Sequence, residues 1–234
     1  MSSNSSVIKR VCLEAEAGSP AVKYRIQLLD ESLIDESVEF LAKELLPSTN
    51  MTIISSLGFL SDKDACDEIK SVLRKHLSEG ISLAALLEDD SGNRGPLIGC
   101  NVLYKESTSE MEYRTDKMKL CHQTLVDLKK GVDVLKIYNC SDCISAFGIS
   151  VASAFRGRGI ATEFLRARAE VCRLTNIPVT AGVFSGPYSH KAAAKAGFRT
   201  LSELDLGTYR IDNKIVHPEA RGWPTAKYMA NKYF

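Results

Sequence analysis

The chain has 234 residues, of which 44% are apolar and 25% charged, so it is able to bury a substantial core and stay in solution. Thirty basic and 29 acidic residues leave a formal net charge of +1, which excludes a global positive field that would recruit nucleic acid. Because no stretch approaches the ~20 apolar residues that cross a bilayer and the first residues lack the apolar core of a secretory signal, we expect a cytoplasmic protein without a membrane partner.

The first elements are predicted to be a leader, a strand and a helix. Residues 1–22 are rich in Ser, Ala and Glu without a clear period, which indicates a mobile leader. The alternation in Tyr24–Leu29 predicts a strand. Asp30 is a suitable N-cap for a helix with regularly spaced apolar residues, and Pro47 ends that helix.

A second helix and a hairpin come next. Ser61–Leu77 begins with a capping pattern and has one apolar side, and Gly80 stops it. Ser82–Leu87 and Leu97–Tyr104 flank a turn-rich stretch, so they are predicted to pair as a hairpin. Residues 118–135 have helical spacing in their first part.

The second half of the chain contains a strand, a glycine-rich loop and a helix in direct succession. Cys143–Val151 is a strong strand, Ser153–Ala161 holds the loop, and the apolar residues that follow recur at helical spacing. Val179–Phe184 is a short buried-type strand and Tyr188–Lys195 an alanine-rich helix. Phe198–Tyr209 supplies another strand.

The chain shows no internal repeat and no Pro-, Gly- or Ser-rich linker, so residues 23–234 are predicted to form one mixed α/β domain. Its seven scattered cysteines indicate free thiols in a reducing compartment. Cys140 and Cys143 form one Cys-x-x-Cys pair without a second pair or paired histidines downstream. Two structural cysteines are therefore favoured over a zinc or redox site, and no metal is expected.

The glycine-rich loop suits an anionic ligand. A helix N-terminus offers unpaired N–H groups and a positive dipole end, and glycines let the backbone come close to a phosphate. Arg156 and Arg158 add positive charge beside such an anion. The loop lacks both the Walker pattern and the third glycine and acidic ribose contact of the dinucleotide fingerprint. A surface turn in which the glycines only avoid backbone strain, without a ligand, is the alternative for the isolated motif.

The order Arg-x-x-Gly-x-Ala in this loop resembles the acyl-CoA loop of the GNAT superfamily of N-acetyltransferases. The resemblance implies a mostly antiparallel mixed sheet, flanked by helices and splayed at the acyl-CoA strand. It also implies acetyl-CoA as acyl donor, with its pantetheine arm along the backbone of Ile149, Ser150 and Val151. The pyrophosphate is then expected on the loop and helix start, formed by Arg156, Gly157, Arg158, Gly159, Ile160 and Ala161.

From the loop onward the chain resembles the insect-type arylalkylamine N-acetyltransferases. The motifs that carry this likeness are Asn176-Ile-Pro178, Phe184-Ser-x-x-Tyr-Ser189 and Lys195-x-Gly-Phe198, with Tyr24-Arg-Ile-Gln27 and His217-Pro near the two ends. The likeness covers residues 24–234, weakly between 47 and 116. It implies direct transfer of an acetyl group from the donor to a small primary amine. Arylalkylamines, polyamines and agmatine-like amines all fit. We expect the protein to be a monomer.

Two serines are implied in the chemistry by this resemblance. Family serines at this spacing act in catalysis and organise the acetyl-CoA site, and they correspond to Ser185 and Ser189. Ser189 is the better candidate for protonating the departing CoA thiolate, since it lies near the start of the following helix. Capping of that helix is the structural alternative for both serines.

The general base is the main departure from the family pattern. The family has a glutamate after the first helix, and Thr49 stands at that position here. Glu44, one turn earlier, is a possible substitute, although a solvated helix face is the commoner place for a glutamate. Two alternative functions therefore stay open: a catalytically weak acyl-CoA-binding regulatory protein, and a protein N-acetyltransferase with an open peptide groove.

Overall fold

The computed structural model of the protein describes residues 7–15, 21–47, 52–108, 111–220 and 224–234. Its strands are β1 (Val7–Leu13), β2 (Val22–Leu28), β3 (Leu83–Glu88), β4 (Arg94–Lys105), β5 (Ile144–Val151), β6 (Val179–Phe184), β7 (Arg199–Asp205), β8 (Arg210–Ile211), β9 (Lys214–Ile215) and β10 (Thr225–Lys232). Its α-helices are α1 (Ile34–Glu44), α2 (Thr52–Ser56), α3 (Lys63–Leu77), α4 (Asp116–Lys129), α5 (Val134–Tyr138), α6 (Ile160–Thr175) and α7 (Pro187–Lys195).

Eight of the strands form one sheet in the order β1-β2-β3-β4-β5-β6-β10-β7. Neighbours are antiparallel except for β5 and β6, which run parallel and are joined by α6. Along these two fully described strands, Ile144 is in register with Thr180 and no further pair follows. The strands therefore diverge towards their carboxyl ends, and we call the gap beyond this pair the seam.

Helices cover both faces of the sheet. Buried side chains of α1, α3 and α4 pack on one face together with those of β6 and β10. The apolar side of α6 packs on the other face against β2, β3 and β4, and α7 extends that layer. None of the helices in the described ranges is both long and apolar enough to cross a bilayer.

Most of the predicted elements are present, with their ends shifted by a few residues. The hairpin is confirmed as β3 and β4, and the predicted strand at Val179–Phe184 is β6. Asp30 caps a single 3-10 turn that leads into α1. The cap of α3 is Asp62, whose carboxylate accepts from the N–H of Ala65 at 3.1 Å, and not Ser61.

Two strands differ from the sequence-based expectation. Residues 7–13 lie inside the expected leader, yet they form the edge strand β1 and pair with β2. Because an edge strand is half exposed, its residues lack the buried alternation that would have indicated a strand. Thr225–Lys232 was not predicted as a strand, since β10 inserts between β6 and β7 and its partners are remote in sequence.

The contact between α6 and β4 leaves no space at Gly99. A methyl group added there would lie 2.8 Å from Cε2 of the fully buried Phe164 and 3.2 Å from the carbonyl oxygen of Ser150. We expect Gly99→Ala to lower the free energy of unfolding in urea by about 1–3 kcal/mol, the usual cost of overpacking. Adding Phe164→Leu should make the combined loss smaller than the sum of the single losses. Additive losses would contradict the tight contact.

Candidate active site

The glycine-rich loop connects β5 to α6 through two left-handed residues. Gly157 has φ 81° and Gly159 has φ 83°, values at which any other residue is strained. Gly159 is the N-cap residue, and α6 begins at Ile160. Since the first N–H groups of a helix have no partner within it, the loop presents several donors together with the positive end of α6.

Both arginines of the glycine-rich loop are hydrogen-bonded to other groups of the protein. Nη2 of Arg156 donates to the Glu44 carboxylate at 3.0 Å and to its carbonyl oxygen at 3.1 Å. The same carboxylate accepts from the N–H of Ser153 at 3.2 Å. Arg158 donates to the carbonyl oxygen of Glu14 at 3.0 Å. Glu44 is therefore neither a solvated helix residue nor an unengaged base, because it fixes the loop and offsets the charge of Arg156.

A first cavity of about 660 Å³ lies between β5, β6, α6 and α7. It brings together nearly all the site residues expected from the sequence, while Arg158 lies outside its lining. The expected residues that line it are Glu44, Ile149, Ser150, Val151, Arg156, Gly157, Gly159, Ile160, Ala161, Ser185 and Ser189.

A second cavity of about 360 Å³ lies on the opposite face of the sheet, against α2, α3 and α4. The two cavities share Ala146, Phe147, Gly182, Val183 and Ser185, which all belong to the two edges of the seam. They therefore meet through the sheet, and buried Ser185 lies at their junction.

The seam edge formed by β5 is bent at Phe147. Val102 pairs with Gly148 and Leu103 with Ala146, so Phe147 is the extra residue of a β-bulge. Bulges redirect side chains and are frequent next to active sites. Here the bulge gives Phe147 access to both cavities.

Aromatic rings and one carboxylate dominate the wall of the second cavity. The rings belong to His76, Tyr104, Tyr113, His122 and Phe147. Its carboxylate is Glu106, which accepts from Nζ of Lys129 at 3.0 Å and from Oγ of Ser145 at 2.7 Å. Sequence reasoning did not find these residues, although His76 shares helical spacing with the apolar residues Ile69 and Val72 and could have been noticed there.

Ser189 is engaged in capping α7. Its hydroxyl donates to the carbonyl oxygen of Gly186 at 2.7 Å and accepts from the N–H of the same residue at 3.2 Å. The structural alternative weighed for this serine is therefore present, and the hydroxyl also lines the first cavity. Thr49 falls outside the described residues.

A buried arginine closes the narrow end of the seam. Arg168, on α6, donates to Oδ1 of Asn101 at 2.9 Å and to Oγ1 of Thr180 at 3.3 Å, and it lines the first cavity. Burial lowers the pKa of Arg168 to about 10, so the guanidinium stays charged at neutral pH.

Comparison with solved structures identifies proteins that have the same fold. The sequence significantly matches no protein-family model and no curated protein. The structure resembles a protein assigned as arylalkylamine N-acetyltransferase 7 from the yellow fever mosquito Aedes aegypti, with a TM-score of 0.86, 26% identity, and 98% and 96% of the two chains covered. It also resembles the Drosophila melanogaster polyamine N-acetyltransferase that forms N-acetylagmatine, with a TM-score of 0.72, 13% identity, and 89% and 99% covered.

A further likeness is to the NatC complex bound to Gag peptide and CoA, with a TM-score of 0.51, 13% identity, and 90% and 99% covered. These likenesses confirm the GNAT fold and the resemblance to insect N-acetyltransferases drawn from the sequence. The two insect relatives named above are N-acetyltransferases, the enzyme class that this resemblance implied.

The loop geometry yields a test of ligand binding. We expect Gly159→Asp to lose most of its affinity for coenzyme A, measured by calorimetry, because a carboxylate would face the pyrophosphate at the helix start. Gly131→Asp is the matched control, since Gly131 has φ 80°, has nothing within 4 Å of an added Cβ, and lies between α4 and α5. Equal affinity in folded Gly159→Asp and Gly131→Asp variants would contradict a pyrophosphate at this loop.

Proposed function

We propose that the protein transfers the acetyl group of acetyl-CoA to a small primary amine, with the donor in the first cavity and the amine in the second. The observation that carries this proposal is the meeting of the two cavities at the seam. A donor and an acceptor that enter from opposite faces of the sheet reach each other there. The seam then holds the thioester carbon and the amine nitrogen close together, although the two substrates bind on opposite faces of the sheet.

The first cavity has the features that an acyl-CoA requires. The start of α6 offers N–H donors to the pyrophosphate, and the β5 edge of the seam offers the backbone of residues 149–151 to the pantetheine arm. Because β6 diverges from β5, an extended ligand is able to occupy the place of the missing strand contacts. The thioester then lies near Ser185 at the junction.

The chemistry is a direct transfer. A neutral amine nitrogen attacks the thioester carbonyl carbon, whose oxygen is polarised by a strand N–H, and a C–N bond forms. The C–S bond breaks and its electron pair goes to sulfur, which takes up a proton. Ser189 lines the first cavity and is assigned the role of donating a hydrogen bond to that sulfur, for which its hydroxyl turns away from the carbonyl oxygen of Gly186. Ser185 contacts both reactants from the junction.

The lining of the second cavity favours an arylalkylamine among the amines that fit the fold. Tyr104, Tyr113 and Phe147 offer faces and edges on which a flat ring is able to pack. Glu106 offers a carboxylate to the ammonium group. A polyamine or agmatine would leave most of the aromatic surface without a matching partner.

Release of free thiol from acetyl-CoA tests the proposed function. The panel contains an arylalkylamine, a polyamine, agmatine and an N-terminal peptide. We expect the highest kcat/KM with the arylalkylamine. Binding of acetyl-CoA without turnover of any amine would instead indicate a regulatory protein, and turnover of the peptide alone would indicate a protein N-acetyltransferase.

Ser189→Ala separates catalysis from capping. We expect this change to lower kcat more than it weakens acetyl-CoA binding, because thiolate stabilisation is greatest late in the reaction. Asp62→Ala is the matched control: it removes the cap of α3, and Asp62 lines neither cavity. If both variants lose only about 1 kcal/mol of stability and keep kcat, the role of Ser189 is structural.

A further inference from the structure

An amine substrate needs a group that removes a proton. Aliphatic amines have a pKa near ~10.4, so at neutral pH the substrate arrives as an ammonium ion. Glu44, the substitute suggested by the sequence, lies in the first cavity and holds Arg156 and the N–H of Ser153. It does not line the second cavity, where the amine is proposed to bind.

We infer that His76, held by Glu79, is the base that takes the proton from the amine in the second cavity. This inference rests on the proposed function and assigns a residue to one of its steps. It draws on three observations: the hydrogen bond that fixes the imidazole tautomer, the stacking that fixes the ring, and the position of the ring beside the seam.

The partner of Nδ1 determines which nitrogen is available. Nδ1 of His76 lies 3.3 Å from Oε1 of Glu79, and Oε2 of Glu79 accepts from the N–H of Lys105 at 3.0 Å. An ionised carboxylate only accepts hydrogen bonds, so Nδ1 carries the hydrogen and Nε2 keeps its lone pair. Among the described residues His76 has no second hydrogen bond, which leaves Nε2 ready to accept a proton.

Stacking holds the ring in place beside the seam. The imidazole stacks on Tyr104 with 4.1 Å between centroids, and the ring of Phe147 lies 5.9 Å away. Phe147 is the bulge residue that lines both cavities. His76 is only 3% exposed, and it lines the second cavity next to this residue.

The surroundings of His76 favour its neutral, proton-accepting form. Burial lowers the pKa of His76 below its ordinary value of 6.5, while Glu79 opposes that shift. Lys75 on α3 lowers the pKa of His76 further. The other titratable groups that face the second cavity are Tyr104 on β4, Glu106 directly after it, Tyr113 before α4, and His122 and Lys129 on α4.

Glu106 is less suited to the role of base. Lys129 and Ser145 each donate to one of its two carboxylate oxygens. Both carboxylate oxygens of Glu106 are therefore already engaged by protein donors, whereas Nε2 of His76 has no such partner among the described residues. Glu106 is therefore able to attract the ammonium group, whereas His76 is able to deprotonate it.

The proton balance of the step is complete. The ammonium group gives one proton to Nε2 of His76, and the positive imidazolium is stabilised by Glu79. The neutral nitrogen attacks the carbonyl carbon, the C–N bond forms, the C–S bond breaks, and the electron pair goes to sulfur. The second proton of the nitrogen ends on sulfur, and His76 releases its own proton to solvent.

The pH dependence of kcat/KM tests the inference. For the native protein we expect a plateau from about pH 7 up to the pKa of the amine, because His76 is neutral throughout that range. His76→Gln should lower the plateau by about 10²–10⁴-fold, mainly in kcat, and its kcat/KM should climb with pH towards the pKa of the amine. Imidazole added to His76→Ala should restore part of the lost rate.

Three further variants separate His76 from other groups. Glu79→Gln should lower kcat by about 10-fold or more while acetyl-CoA affinity stays the same, which keeps the test open if His76→Gln fails to fold. Glu44→Gln should weaken acetyl-CoA binding, yet its kcat/KM should stay flat over the same pH range. His122→Gln changes a second histidine of the same cavity; it should alter KM for the amine and leave the pH range of the plateau unchanged.

The outcomes distinguish the inference from the proposed function. A plateau that persists in His76→Gln, or one that disappears in Glu44→Gln, overturns the role of His76 and leaves the proposed function standing. Absence of turnover by the native protein at any pH overturns both. The melting temperature of each variant establishes that the fold is intact, and the acetyl-CoA affinity of the His76, Glu79 and His122 variants establishes that their donor site is intact.

Discussion

Strands β5 and β6 share one registered pair, Ile144 with Thr180, and the geometry of both cavities depends on the seam that opens beyond it. A buried backbone group without a partner costs about 1–3 kcal/mol, so an open seam requires other donors and acceptors. Side chains supply some of these donors for the backbone carbonyl groups of β5. Oγ1 of Thr180 donates to the carbonyl oxygen of Ile144 at 2.9 Å, and Nδ2 of Asn101 donates to that of Gly148 at 2.9 Å.

Arg168 connects these side chains and gives the narrow end of the seam its charge. Its guanidinium donates to both Asn101 and Thr180, so one residue of α6 braces β4, β5 and β6. Both of these partners are neutral, and the ring of Phe198 lies 5.6 Å from the guanidinium carbon. A buried cation with neutral partners raises the local potential, which in the proposed reaction would favour the negative charge that develops on the thioester oxygen or sulfur.

The sequence predicted the parts of the site that are built from consecutive residues. The strand, the two positive-φ glycines and the start of α6 follow each other directly along the chain, so their pattern is visible in one short stretch of sequence. The roles of Ser185 and Ser189 came from resemblance and stay predictions, because the hydroxyl of Ser189 also acts as a cap.

The second cavity could not be predicted in the same way. His76, Tyr104, His122 and Phe147 come from four elements, and the bulge that places Phe147 is a matter of strand register and not of composition. In the sequence, His76 and Glu79 lie at what looks like an ordinary helix end, because the histidine is on the apolar side and the glutamate precedes Gly80. Only the packing of α3 on β4 brings His76 to the cavity and Glu79 to the N–H of Lys105.

The seam separates the two charge changes of the proposed reaction. The sulfur gains negative charge on the side of α6 and α7, where Arg168 and the helix start favour it. The nitrogen loses its proton on the side of α3 and α4, where His76 is neutral and Glu106 is paired with Lys129. An ammonium nitrogen has no lone pair, so its proton has to leave before the nitrogen attacks through the seam. The positive groups of the donor side add to this requirement, because they would oppose an ammonium ion that approached with its proton.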